Sequence, residues 1–395
     1  MLMNKDTSYL IPNGFTVGII GGGQLGKMIG LEAKRMSMNI AILDPDPNCP
    51  ASSIADELII DDFKNESSIR KLAEVSDVLT YEIELTNSSI LEDLVSQNYE
   101  VHPSPQTLKI IQNKFRQKQF LLDNGIPVAR FEHVESLEQI QRKCNEFGYP
   151  VVLKACEDSY DGRGNYIVKS SEDIETGVRL FKRDCMIEEF INFSKEVSIM
   201  VARNISGQIQ SFPVAENMHN RNILNTTIVP ARISELAASK VRELAEKTIE
   251  NLKGAGIFGI EMFVLKDDSI LVNEIAPRPH NSGHYSIEAC SISQFEQHIR
   301  AIVGLPISKP RLLSPAVMIN ILGNDTFSGV YSLANIKKIM NISGLKLHLY
   351  GKKITKPQRK LGHMTITDIC LERALSKAKL ASSMICIKKR ADPCE

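Results

Sequence analysis

The chain has 395 residues, long enough for two or three domains. Lys plus Arg and Asp plus Glu both number 47, so the formal net charge is zero, and the basic excess of a dedicated nucleic-acid binder is missing. No apolar run approaches the roughly 18 residues of a membrane span, and Met1 to Asn13 lacks a signal-peptide core. The eight cysteines, Cys49, Cys144, Cys156, Cys185, Cys290, Cys370, Cys386 and Cys394, form no C-x-x-C pair and match no zinc spacing. They read as reduced thiols, and the expected location is the cytoplasm.

The first hundred residues alternate strand and helix. Phe15–Ile20 is a short apolar run ahead of glycines and reads as a buried strand. Gln24–Met36 has helical spacing, Met38–Leu43 is a second strand, Val78–Tyr81 another, and Ser88–Val95 a helix. Such alternation implies βαβ units and a parallel sheet. Pro103 and Pro105 break it, and a helix-rich linker runs from Thr107 to about Asn124. Beyond Pro127 the texture is α+β. Strands are expected at Val151–Lys154, Asn165–Lys169, Met186–Phe190 and Glu196–Arg203, with a helix near Ser171–Lys182. A long amphipathic helix, Ser234–Leu252, precedes a hairpin of Phe258–Leu265 and Ile270–Ile275. After Pro306 and Pro310 a small third region carries strands at Ala316–Ile321 and Leu345–Tyr350. The domains are therefore expected at 14–112, 113–306 and 307–385.

Five motifs carry chemistry. Gly21–Gly26 fits G-x-G-x-x-G between a strand and a helix, with Asp44 at the end of the next strand. It reads as a dinucleotide fingerprint or as a tight strand-to-helix turn serving something else. Ser159 to Asn165, following Lys154, places Gly162 and Gly164 around Arg163. It is a phosphate-approaching loop or a plain hairpin turn. In the hairpin, a two-residue loop at Asp267-Asp268 pairs Lys266 with Ser269 and sets Glu261 directly opposite Glu274. Like charges so placed are costly, and a divalent cation such as Mg²⁺ relieves them. A one-residue slip would send one carboxylate to solvent. The run Ala276 to His284 holds Arg278, His280, Asn281 and Ser282 where two prolines oppose a helix, so it is a site or a surface loop. Lys352, Lys353, Lys356, Arg359 and Lys360, with His363, form either a solvated charged loop or an anion cradle.

Taken in order, Gly21–Met28, Tyr81-Glu82-Ile83-Glu84, Tyr160–Gly164, Ile191–Ser198, Asn273–His284 and Arg359–His363 closely resemble the N5-carboxyaminoimidazole ribonucleotide synthetases, a family of ATP-grasp enzymes. The resemblance spans about Phe15 to the 370s. It implies a Rossmann-like N-terminal domain, a central ATP-grasp domain and a small C-terminal β-rich domain. It implies ATP and Mg²⁺ as cofactors, with bicarbonate and aminoimidazole ribonucleotide as substrates, and a cytoplasmic homodimer. Carried over residue by residue, Lys114 and Lys154 would contact ATP phosphates, and Tyr160, Asp161, Gly162, Arg163, Gly164 and Asn165 would close over them. Glu188, Glu189, Phe190 and Ile191 would line the adenine pocket. Glu196 would hold the ribose, His219 would sit near the nucleotide, and Asn273 with Glu274 would complete the ATP site. Glu261 and Glu274 would bind Mg²⁺. The ribonucleotide would meet Gln24, Leu25, Glu82, Asp161, His280, Asn281, Ser282, Lys352, Arg359 and Lys360. The catalytic set would be Asp161, Arg163, Arg278, His280 and Asn281. Rival readings are another ATP-grasp ligase transferring a formyl or amino-acid group and, from the glycine fingerprint alone, an NAD-dependent dehydrogenase.

Overall fold

In the computed structural model, residues 11–157, 164–180 and 184–390 are described, without the side chains of 178–180. The expected N-terminal elements form. Strands Glu57–Ile59, Asn39–Leu43, Thr16–Ile20 and Val78–Tyr81 lie in that order in one parallel sheet. Its strands are apolar because both faces are covered, and Ile19, Ile20, Ile40, Ile42 and Leu43 are fully buried. Local side chains start the helices. Asn87 accepts from the Ser89 and Ile90 N–H groups ahead of helix Ser88–Ser96, and Asn113 accepts from the Arg116 N–H ahead of helix Lys114–Asp123. Ser234 does the same for Glu235–Leu252.

The central region holds two sheets. The smaller is antiparallel, in the order Phe131–Val134, Cys185–Glu189, Val151–Ala155, Asn165–Val168. The larger has nine strands and runs from Ile270–Ala276 through Gly256–Val264, Lys195–Arg203, Ala215–Asn220 and Ile223–Val229. It does not stop at the expected domain boundary near residue 307. Ile223–Val229 pairs with Ala316–Leu322, which pairs in turn with Lys360–Thr367. Helix Gln294–Ile302 crosses the expected division in the other direction. Its Phe295, Ile299 and Ile302 share a core with Val17, Met28 and Ile29 of the N-terminal sheet layer.

The hairpin reaches the expected Glu261–Glu274 pairing by a different route. The Leu265 N–H donates to the Ser269 carbonyl at 2.9 Å, so the loop is three residues, Lys266 to Asp268. Asp268 is left-handed at φ +59°, as such a loop requires. This shifts the register by one, pairing Val264 with Ile270 and Met262 with Val272. One further residue, Asn273, is then accommodated as a bulge, and Glu261 faces Glu274. The two offsets cancel.

Helix Glu235–Leu252 lays Ala237, Val241, Ala245, Ile249 and Leu252 against Val197, Ile199, Phe258 and Ile260 of the large sheet. This face holds the strand bearing Glu261 in place. Ile249→Ala is expected to destabilise the protein by about 2–5 kcal/mol in urea unfolding. Leu236→Ala, on the exposed face of the same helix, is expected to stay within about 0.5 kcal/mol. Equal losses at both positions would contradict this packing.

Candidate active site

A cavity of about 950 Å³ opens where the three regions meet. The N-terminal domain contributes Gln24, Leu25 and Glu82. The central domain contributes Lys114, His219, Glu261, Glu274, Arg278, His280 and Asn281. The C-terminal segment contributes Lys352, Lys356, Arg359 and Lys360. Among the described residues, Lys154, Glu188, Glu189, Phe190, Ile191, Glu196, Asn273 and Ser282 do not line it. Tyr160, Asp161, Gly162 and Arg163 lie outside the described residues. Gly164 is buried, and its carbonyl accepts from the Ala155 N–H at 2.8 Å; Asn165 pairs with Lys154 at the start of its strand.

At one end, lysines and carboxylates interleave. Lys114 Nζ lies 2.9 Å from Glu274. Burial alone would lower the Lys114 ammonium, but Glu274 holds it above its usual value. Burial would likewise raise Glu274, and Lys114 draws it down instead. Lys154 donates to Glu188 at 2.6 Å and to the bulge residue Asn273 at 3.3 Å, so it bridges the two sheets. Lys118, which the sequence reading passed over, donates to Glu188 at 2.8 Å and to the Val272 carbonyl at 3.3 Å. It lies one helical turn beyond Lys114, and that i,i+4 spacing was the available signal. Glu188 therefore presents its side chain to two lysines. Against the cost of burial, Lys154 and Lys118 hold it down at about 2. Lys118 is driven down to about 8, first by burial and then by Lys154 across the shared carboxylate. The group as a whole carries surplus positive charge suited to phosphate.

Glu261 sits between charges of its own sign. Its carboxylate, Glu196 and His219 each bring one ligand atom within 4.8 Å of the others. Glu196 is engaged by His219 Nδ1 at 3.0 Å. Burial pushes Glu261 up to about 7, helped by Glu196 and by Glu274 opposite. His219 is raised: burial would lower it, but the Glu196 carboxylate outweighs that.

The other end resolves the glycine motif. Helix Gln24–Arg35 has no local side-chain cap. Glu82, from the end of the neighbouring strand, supplies one. Its carboxylate accepts from the Gly23 N–H and, at 2.7 Å, from the Gly26 N–H. Asp44 accepts from the Gly22 N–H at 2.7 Å. The donors that would hold a dinucleotide phosphate are thus occupied by the protein's own carboxylates. The glycines are needed for this close approach: Gly21 has φ +95°, and a Cβ there would meet Glu82 Cγ at 2.6 Å. Burial raises Glu82 despite the two N–H groups and Arg278, which lower it.

The polar run after Glu274 is neither a surface loop nor wholly cavity lining. Ser282, expected at the ribonucleotide, is fully buried, and its hydroxyl is satisfied there by Ser198 at 2.7 Å and His280 Nδ1 at 2.8 Å. It orients the His280 ring. Gln294 bonds the His280 backbone in both directions. Asn281 donates to Asn320 at 3.0 Å, and Asn320 stands out in sequence as a polar residue inside the apolar strand Ala316–Leu322. Arg278 pairs with Glu84 at 2.9 Å. His363 does not belong to the basic cradle. It is fully buried, bonded to Tyr350 at 2.9 Å, and held well below its usual range by burial. Lys353 instead reaches Asn48 of the N-terminal domain at 2.6 Å.

Three family models match in sequence. Residues 15–112 match the ribonucleotide synthetase preATP-grasp domain, 119–295 the ATP-grasp domain, and 316–377 the phosphoribosylaminoimidazole carboxylase C-terminal domain. The N5-carboxyaminoimidazole ribonucleotide synthase of Bacillus subtilis is 40% identical over 357 residues, covering 90% of this chain and 92% of that one. This chain belongs to the N5-carboxyaminoimidazole ribonucleotide synthase family. A crystal structure of the N5-carboxyaminoimidazole ribonucleotide synthetase from Thermotoga maritima superposes with a TM-score of 0.89 at 48% identity, over 95% of this chain and all of that one. The phosphoribosylaminoimidazole carboxylase of Candida glabrata is 44% identical over 89% of this chain, which spans 63% of that relative's length. The architecture is that of the family: a preATP-grasp domain, an ATP-grasp domain and a C-terminal domain.

Two outcomes are expected. Glu188→Gln leaves Lys118 and Lys154 buried without a counter-charge, and should cost about 3–5 kcal/mol at pH 7. The wild-type Glu188 is depressed in the folded state, so its contribution is present above its unfolded pKa near ~4.3 and is lost as pH falls toward about 2. The gap between wild type and variant should therefore narrow over that window; denaturant melts at stepped pH measure it, and a gap that widens on acidification would contradict the assignment. Calorimetry should find no NAD or NADP binding, and micromolar affinity would show that the glycine turn accepts phosphate after all.

Proposed function

We propose that the chain uses ATP and bicarbonate to carboxylate the exocyclic amine of 5-aminoimidazole ribonucleotide, giving N5-carboxyaminoimidazole ribonucleotide in purine biosynthesis. One observation carries the reading. A single cavity joins a carboxylate–lysine end, built by Lys114, Glu261 and Glu274, to an end built by Gln24, His280, Asn281, Arg359 and Lys360. The first suits a metal-bound triphosphate and the second a phosphorylated acceptor. A cytoplasmic homodimer is the setting that the family resemblance implies.

A divalent cation fits the first end. Glu261 faces Glu274 across the hairpin and is pushed up to about 7, by burial first and then by its acidic neighbours; a cation relieves that cost. Glu261 and Glu274 would hold Mg²⁺, which when bound neutralises charge on phosphoryl oxygens. Lys114, on the cavity wall, would orient the phosphates, and Lys154, held by Glu188 and Asn273, would add fixed positive charge nearby. A bicarbonate oxygen attacks the γ-phosphorus, the bond to the bridging oxygen breaks, and ADP leaves, giving carboxyphosphate. The acceptor's amine nitrogen then attacks the carboxyl carbon of this anhydride, or of CO₂ released from it. Phosphate departs and the amine loses a proton. Arg278, held by Glu84, and His280, oriented by Ser282, stand on the strand exit between the two ends. That position suits them to stabilise the carboxyl group in transit and to receive the proton. Arg359 donates to the Ile354 carbonyl at 3.0 Å, which fixes its guanidinium at the cavity wall for the acceptor's 5′-phosphate.

Phosphate release from ATP should require both bicarbonate and aminoimidazole ribonucleotide for full rate. Equal rates with an amino acid or formate in their place would refute the assignment. Glu274→Gln and Glu261→Gln should each cut turnover at least about 100-fold while the protein still folds; near-normal turnover of both at saturating Mg²⁺ would remove the metal assignment. Arg359→Ala should raise the KM for the ribonucleotide about 10- to 100-fold and leave the KM for ATP unchanged. Varying each substrate in turn decides this, and a rise confined to ATP would place the C-terminal segment at the nucleotide.

A further inference from the structure

A second cluster of unlike donors lies on the small sheet. His133 comes from strand Phe131–Val134, Cys156 follows strand Val151–Ala155, and Asp184 precedes strand Cys185–Glu189. These three strands are neighbours. Their register brings Ala155 beside Cys185 and Val134 beside Cys185, so the three side chains gather at one end of the sheet. One imidazole nitrogen, the thiol sulfur and one carboxylate oxygen all lie within 4.8 Å of one another. The backbone fixes the arrangement, with the Cys156 N–H donating to the Asp184 carbonyl at 3.0 Å.

The surroundings fit a metal rather than a hydrogen-bonded trio alone. His133 Nε2 faces the Asp184 carboxylate, while Nδ1 faces Glu135 at 3.6 Å. A carboxylate on the far ring nitrogen is the usual outer partner of a metal-bound histidine. The ring packs against Phe115, with centroids 5.1 Å apart, which fixes its plane. Cys156 is fully buried, whereas the Asp184 side chain is half exposed, so the cluster has a closed side and an open one. Thiolate, imidazole and carboxylate together form a donor set for Zn²⁺, with a fourth position left to solvent.

We propose that His133, Cys156 and Asp184 form a binding site for one thiophilic divalent cation, Zn²⁺ by its donor set, outside the carboxylate pair of the hairpin. Binding exchanges the thiol proton of Cys156, which passes to solvent, for the metal. The site adjoins the nucleotide end of the cavity. The Cys156 carbonyl accepts from the Lys114 N–H at 2.7 Å, and both residues line that cavity. A cation here crosslinks three strands of the small sheet directly behind Lys114.

Co²⁺ provides the probe, added to the full chain with Mg²⁺ in excess to occupy Glu261 and Glu274. The expected result is a thiolate-to-cobalt charge-transfer band that saturates at one equivalent and is displaced by Zn²⁺. Cys156→Ser should abolish the band, and Cys185→Ser should retain it. His133→Gln should weaken Co²⁺ binding at least about 100-fold, and Glu135→Gln about 10-fold. No band, or a band unchanged in folded Cys156→Ser, overturns the proposal. If Cys156→Ser does not fold, the partly exposed His133→Gln decides, and unaltered affinity in that variant overturns it equally.

Discussion

Two carboxylates facing each other across one hairpin set the problem that the rest of the site answers. Glu261 and Glu274 lie on adjacent strands whose Phe258, Ile260, Met262, Ile270, Val272 and Ile275 build the core. Like charges so placed oppose folding unless cations accompany them. The chain brings them from several directions. Lys114 comes from a helix N-terminus, Lys154 from the facing sheet, and Lys118 from the next helical turn. Glu188 then sits among the lysines as their counter-ion. The same electrostatic balance orders the hairpin and joins the two sheets.

At the other end of the cavity a similar economy uses one carboxylate against backbone dipole. Glu82 occupies the amides that give the glycine motif its appearance of a dinucleotide site. A strand-glycine-helix pattern shows that a helix N-terminus is open to an anion. It does not show whether that anion is a ligand or part of the chain. Here the answer lay almost sixty residues downstream, and only the fold brings it into place.

Much of the fold was legible because periodicity survives in short apolar runs. Thr16–Ile20, Val78–Tyr81 and Glu235–Leu252 fall within a residue or so of their expected bounds. The Glu261–Glu274 pairing was legible too, though through two register shifts that cancelled. Neither the left-handed Asp268 nor the bulge at Asn273 leaves a mark in hydrophobic pattern. Long-range polar partnerships were not legible. Ser282, Ser198, Gln294 and Asn320 form a buried network whose members come from four elements, so polarity in Pro277–His284 alone could not separate cavity residues from those that support them. The same limit applies to cysteine spacing, which tests for ligands close in sequence and overlooks His133, Cys156 and Asp184 on three strands.

The continuous sheet has a mechanical consequence. Because Ile223–Val229 is hydrogen-bonded to Ala316–Leu322, the wall bearing Glu261 and the segment bearing Arg359 are parts of one beam. Bending it would break a ladder of backbone bonds. The small sheet is joined to that beam by two stretches of chain, Asn124–Arg130 and Phe190–Ser194, reinforced by the Val128–Val272 bridge and the Lys154–Asn273 contact. Helix Lys114–Asp123 adds further ties to the small sheet, through the Lys114 N–H to the Cys156 carbonyl and Lys118 to Glu188. The spacing between the Glu261–Glu274 pair and the segment bearing Arg359 is set by that one beam, as on a fixed anvil, while Lys154 stands on the small sheet and reaches across to it at Asn273.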